Sequence, residues 1–165
     1  MPFLVREASV DDAARACEVL RRSIRELCAA DHKNDEKAVA EWLENKTPEN
    51  VRQWLEAPCT YGVVAELDGT VCGFAMVGRT GTLSLCYVAP EVQYLGVGKR
   101  MLAAIEARAA QWRLGTLSVV STLTAKSFYE RNGFVSTGGA LPVEGPHGGY
   151  PLRKVLALLK RPEPP

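Results

Sequence analysis

Apolar residues recur at intervals of three and four along the first part of the chain. Ala13, Ala16, Cys17, Leu20, Ile24, Leu27 and Cys28 fall on one stripe, which predicts a helix over about residues 13–30 with that stripe inward. Residues 9–12, SVDD, supply cap oxygens and negative charge at its start, and FLVREA (3–8) ahead of them reads as a short strand. A second helix is predicted over 36–45 with Val39, Trp42 and Leu43 inward. A third follows Thr47, with Pro48 at its first position and Val51, Trp54 and Leu55 buried.

The pattern changes after Pro58. CTYGVVAEL and TVCGFAMVGR are β-rich runs joined by Asp68-Gly69, a pair suited to a two-residue turn, and predict an antiparallel hairpin. TLSLCYVAP is a third strand, stopped by Pro90, which has no N–H for a sheet ladder. Residues 98–112 read as a helix with Met101, Leu102, Ile105, Ala109 and Trp112 on one face. TLSVVST is a strand, TAKSFYERN a helix closed by Gly133, and FVSTGG a strand. After the Pro- and Gly-rich ALPVEGPHGGYP, LRKVLALL is read as a strand able to pair with FVSTGG, and RPEPP (161–165) as a solvated tail. The order predicts a single α/β (α+β) domain over 1–165, a mixed central sheet of six to seven strands flanked by helices.

Composition narrows the class. A chain of 165 residues, 47% hydrophobic and 24% charged with net charge +1, can bury a full core and carries no broad basic surface for nucleic acid. Its five cysteines include no C-x-x-C pair, so neither a disulfide framework nor a zinc site is expected. No apolar run reaches the ~20 residues of a membrane span, and MPFLVREASVDD lacks the pattern of a leader. A cytoplasmic location is therefore expected.

VQYLGVGKR (92–100) lies between a strand and a helix and raises the question of a phosphate site. A Walker A loop fails twice, because Gln93 stands where its first glycine belongs and Arg100 where its Ser or Thr belongs. A dinucleotide fingerprint would need glycine at Met101. Q-x-x-G-x-G, met by Gln93, Gly96 and Gly98, remains. Bare glycines there let main-chain N–H groups approach an anion at a helix start, with Lys99 and Arg100 adding charge, and a plain structural turn is the alternative.

The order of strand, Q-x-x-G-x-G helix, strand, and helix with A-x-x-F-Y-x-x-x-G-F resembles the GNAT superfamily of acyl-CoA-dependent N-acetyltransferases. LCYVAPEVQYLGVGKRML (85–102) and TAKSFYERNGF (124–134) carry the resemblance, which extends more loosely from the first strand to about Gly139. It implies acetyl-CoA as cosubstrate, without a metal. Main-chain groups of Cys86, Tyr87 and Val88 would meet the pantetheine arm. Gln93, Tyr94, Leu95, Gly96, Val97, Gly98 and Lys99 would hold the pyrophosphate. Thr122 and Ala125 would lie along the arm, and Tyr129 would protonate the departing thiolate. Many relatives have Asn at the position of Thr122, whose hydroxyl makes one such contact but not the same pair. Ser121 is an alternative donor.

The general base and acceptor stay open. TLSLCYV carries no acid, so His32 in AADHKNDE, His147 in GPHGGYP, or ordered water would take the amine proton. His32 is also the candidate for binding the acceptor. Arg15, Arg21, Arg22 and Arg25 offer a grip for a carboxylate or phosphate, whereas Asp31, Asp35, Glu36 and Glu41 would attract a cation. The expected partner is a small-molecule or peptide amine, with no nucleic acid and no membrane. A homodimer paired at the C-terminal strand follows only by analogy. The competing reading is a non-catalytic acyl-CoA-binding regulatory module of the same fold.

Overall fold

The computed structural model describes residues 2–141 and 149–157. The chain runs β1 (Leu4–Glu7), α1 (Ala13–Leu27), α2 (Ala29–His32), α3 (Glu36–Leu43), α4 (Pro48–Glu56), β2 (Thr60–Leu67), β3 (Thr70–Gly78), β4 (Thr82–Val88), α5 (Val97–Gln111), β5 (Thr116–Ser121), α6 (Leu123–Arg131), β6 (Val135–Ser136) and β7 (Tyr150–Val155). The seven strands form one sheet in the order β1-β2-β3-β4-β5-β7-β6. Only β4 and β5 run parallel; the other neighbours are antiparallel.

The predicted mixed sheet is therefore present, with α1 on one face and α5 on the other. Ala16, Leu20 and Val51 meet Val64, Phe74 and Met76 on the α1 side. Met101, Leu102, Ile105 and Ala109 meet Val63, Ala65, Ala75 and Leu117 on the α5 side. Because β3 is covered on both faces, Val71 through Val77 are all buried, and the run reads as continuously apolar rather than alternating. Thr47 caps α4 by accepting the Asn50 N–H at 3.1 Å, as predicted. Ahead of the first helix, Asp12 closes the 3-10 turn Val10–Asp12 by accepting the Ser9 N–H at 2.8 Å, and it pairs with Arg6 through both oxygens, at 2.8 and 2.9 Å. The Arg6 guanidinium holds the Asp12 carboxyl below its usual range.

One expectation is corrected. The first helix stops at Leu27, not near residue 30, and a separate turn of helix follows. His32 accounts for the stop: its Nε2 lies 2.8 Å from the Ile24 carbonyl, the oxygen that a continuing helix would offer to residue 28. The last predicted strand is β7, which pairs with β6 as expected and also with β5. It ends at Val155, and residues 158–165, the expected tail included, lie outside the described residues, as does His147.

One irregularity opens the sheet. β4 and β5 pair only at Thr82↔Ser118 and Leu83↔Val119. Ser84 is an extra residue against β3, since Met76 faces Leu85 while Val77 faces Leu83. Such a bulge bends its strand. From there Leu85–Val88 stays with β3, β5 stays with β7, and the two halves of the sheet part.

Candidate active site

The parting exposes a strand edge inside the molecule. In an antiparallel ladder every second residue turns its N–H and C=O away from its partner, so the part of β4 beyond Leu83 presents main-chain groups toward the opening. Cys86, Tyr87 and Val88, the predicted contacts for the cofactor arm, lie here and are half-buried. Burial pushes the Cys86 thiol up to about 12, which leaves it a neutral wall group rather than a nucleophile.

β4 leads through a turn at Pro90–Val92 into the start of α5. Gly96 caps that helix with φ of 87°, a left-handed conformation that an L side chain adopts only at a cost of about 1–2 kcal/mol. Tyr94 shares it, with φ of 65°, and its ring is 88% exposed on the loop beside the exposed Leu95. The first hydrogen bond of the helix runs from the Arg100 N–H to the Gly96 carbonyl at 3.1 Å. The N–H groups of Val97, Gly98 and Lys99 thus have no main-chain partner among the described residues, and they sit at the positive end of a 15-residue helix. Gly98 also meets a packing demand: a Cβ there would stand 3.2 Å from the Phe128 ring, so its bareness lets α6 approach α5. Gln93 is half-buried and Lys99 exposed, while Arg100 lies over the Phe3 ring at 4.7 Å and donates to the Phe3 carbonyl, so its charge is spent there.

α6 brings Tyr129 to the same opening. The ring is 4% exposed and stands edge-on to Phe128 and Phe134, at centroid distances of 5.2 and 5.3 Å. Burial pushes the phenol well above its ordinary value, and the proximity of Cys86 and Tyr87 on β4 adds to the shift. It keeps its proton at neutral pH and can give it only to a strong base formed beside it. Tyr87 is raised by burial too, against a hydrogen bond from Trp42.

The remaining predicted residues divide. Thr122 caps α6, its hydroxyl oxygen accepting the Ala125 N–H at 3.1 Å, so its own proton is left for one further acceptor. The Ser121 hydroxyl donates to the Thr122 carbonyl at 2.7 Å and has no proton to offer a cofactor. His32 is 2% exposed rather than solvated. Its Nδ1 accepts the Asn34 N–H at 3.0 Å, which places the ring proton on Nε2, donated to the Ile24 carbonyl. With no free lone pair, the ring holds the end of α1 and offers no base in this arrangement. Asp31 binds the N–H groups of Leu123 and Thr124 at 2.8 and 3.0 Å, across 92 and 93 residues of sequence. No local motif announces that contact.

Two open concavities border α1. One of about 360 Å³ is lined by Glu18, Arg21, Arg22, Arg25 and Pro48 among others, and one of about 320 Å³ by Arg25, His32, Asn34, Glu36, Val39 and Ala40. Arg21 is committed to the carbonyls of Leu43 and Lys46, and Arg22 to Glu91 and Glu26. The Arg25 side chain, on the rim of both concavities, makes no hydrogen bond or ion pair with any described residue. Among the described residues no three His, Cys, Asp or Glu side chains gather as metal ligands would.

Comparison with known proteins decides the family. The acetyltransferase (GNAT) domain matches residues 28–145, well over half of the chain. The chain belongs to the GNAT acetyltransferase family. A GCN5-related N-acetyltransferase from Rhodopseudomonas palustris superposes with a TM-score of 0.83 at 22% identity, covering 94% of this chain and 97% of that one. PaiA N-acetyltransferase from Thermoplasma acidophilum, solved with coenzyme A, gives 0.79 at 20% identity, covering 94% and 99%. YncA from Salmonella typhimurium, solved with acetyl-CoA, gives 0.71 at 20% identity, covering 98% of both. These likenesses establish the GNAT fold. In sequence, amino-acid acetyltransferases of Pseudomonas putida are 36% identical over 92 residues. That stretch is 53% of this chain, which spans only about a fifth, 21%, of their length.

Proposed function

We propose that this GNAT chain moves an acetyl group from acetyl-CoA to a primary amine by direct attack on the thioester. The observation that carries the reading is the opening where β4 leaves β5. Three features support the reading: the unpaired groups of β4 beyond Leu83, the free N–H groups at the start of α5, and a protonated Tyr129 phenol near Cys86 and Tyr87 of β4. The edge of β4 from Cys86 to Val88 holds the amides of the pantetheine arm. The N–H groups of Val97, Gly98 and Lys99 receive the pyrophosphate, as helix starts receive anions, and the loop of Gln93, Tyr94, Leu95 and Gly96 wraps it. Thr122 and Ala125 border the arm from α6.

The amine nitrogen bonds to the thioester carbon, the carbon–sulfur bond breaks, and the thiolate takes the Tyr129 proton. The proton lost by the amine passes through water, since the His32 lone pair is engaged, and restores the Tyr129 phenol for the next turnover. The Pseudomonas putida relatives are named for amino-acid acceptors, which favours an acceptor bearing a carboxylate, and the unpaired Arg25 guanidinium on the rim of both concavities is the group to grip it.

Incubating the protein with acetyl-CoA and a panel of amines, α-amino acids among them, tests the reading by mass spectrometry. An acetylated product from one amine supports it. Saturable acetyl-CoA binding with no amine acetylated marks the chain as a binding module instead.

A further inference from the structure

Asp31 ties α2 to the start of α6. The two halves of the sheet are joined in the ladder by two residue pairs at one end, Thr82↔Ser118 and Leu83↔Val119. At the other end, where the strands have parted, the Asp31 carboxylate on α2 accepts the N–H groups of Leu123 and Thr124 and the Thr124 hydroxyl. Together with Thr122, which accepts the Ala125 N–H, it satisfies the first three N–H groups of α6 and places a negative charge at the positive end of that helix.

α6 has nine residues, too few to hold as an isolated helix, so its place depends on what it packs on and what binds its start, and Tyr129 lies in its second turn. We propose that Asp31 is a positioning residue for acetyl transfer: by pinning the start of α6 to α2 it fixes the width of the opening and the place of the Tyr129 phenol. The inference rests on the acetyl-transfer reading above. It also links the two sides of the reaction, because α2 borders the concavity lined by Arg25, His32 and Glu36, so an acceptor seated there acts through the pin on the acid.

A double-mutant cycle tests this, with thiol release from acetyl-CoA measured for the best amine of the panel. Asp31→Asn keeps the shape but presents an amide N–H₂ to one of the helix N–H donors. It is expected to lower kcat on the order of 10-fold while the KM for acetyl-CoA changes less than about 3-fold. In a Tyr129→Phe background the same change is expected to cost less than about 2-fold, because the residue it positions is already gone. Thr124→Val removes the hydroxyl arm of the pin and should give a smaller effect of the same kind, and it carries the test if Asp31→Asn does not fold. Wild-type kcat in the folded Asp31 variant, or an equal loss with and without the Tyr129 hydroxyl, overturns the proposal. Absence of turnover in the wild type overturns the enzyme reading instead.

Discussion

Tyr129 and His32 were both candidates for proton transfer, and their surroundings separate them. The Tyr129 phenol is buried among aromatic rings, keeps its proton and faces β4. Removing only its hydroxyl, as Tyr129→Phe, should lower kcat by about 100-fold, the lower end of what general acids contribute. Acetyl-CoA affinity should stay within about 3-fold, since the packing survives. Turnover equal to wild type would remove Tyr129 from the mechanism. His32 instead satisfies the Ile24 carbonyl and the Asn34 N–H. His32→Ala should cost about 2 kcal/mol for stranding those groups, or roughly 5 °C in Tm for a chain of this size. The shape of the pH–rate profile should not change; loss of its acidic limb would restore His32 as a base. The sequence could name His32 as a candidate because its type suits the role. It could not show that both nitrogens were engaged, one by a carbonyl eight residues away.

The start of α5 shows what a motif does and does not disclose. Q-x-x-G-x-G pointed to the start of α5, the proposed anion cradle, and its two glycines meet separate demands: Gly96 a left-handed backbone and Gly98 the Phe128 ring 3.2 Å from where its Cβ would lie. Their variants should therefore differ. Gly96→Ala strains only the cradle and should weaken acetyl-CoA binding by about 10-fold, with kcat at saturation much less affected. Gly98→Val pushes on α6 beside Tyr129 and should lower both affinity and kcat. Calorimetry and saturation kinetics on the two proteins would distinguish them, and identical effects would contradict the division. The Asp31 pin had no comparable signal, because its partners lie 92 and 93 residues away and any short polar residue before a helix looks alike in sequence.

At the scale of the molecule, the strands, the Asp68-Gly69 hairpin and the helix faces were legible because each follows from local periodicity or turn chemistry. The parting of β4 from β5 was not. It arises from one extra residue, Ser84, in a strand whose sequence reads as regular, and from pairing between segments more than thirty residues apart. That parting leaves the edge of β4 open beside the helix start of α5, where the proposed site lies. Acetyl transfer requires that the opening receive acetyl-CoA. A calorimetric titration of the wild-type protein with acetyl-CoA, repeated in the presence of CoA and of ATP, tests this most directly. Saturable binding at one site per chain, displaced by CoA and unaffected by ATP, is the predicted result, and no saturable binding, or displacement by ATP as readily as by CoA, would contradict it.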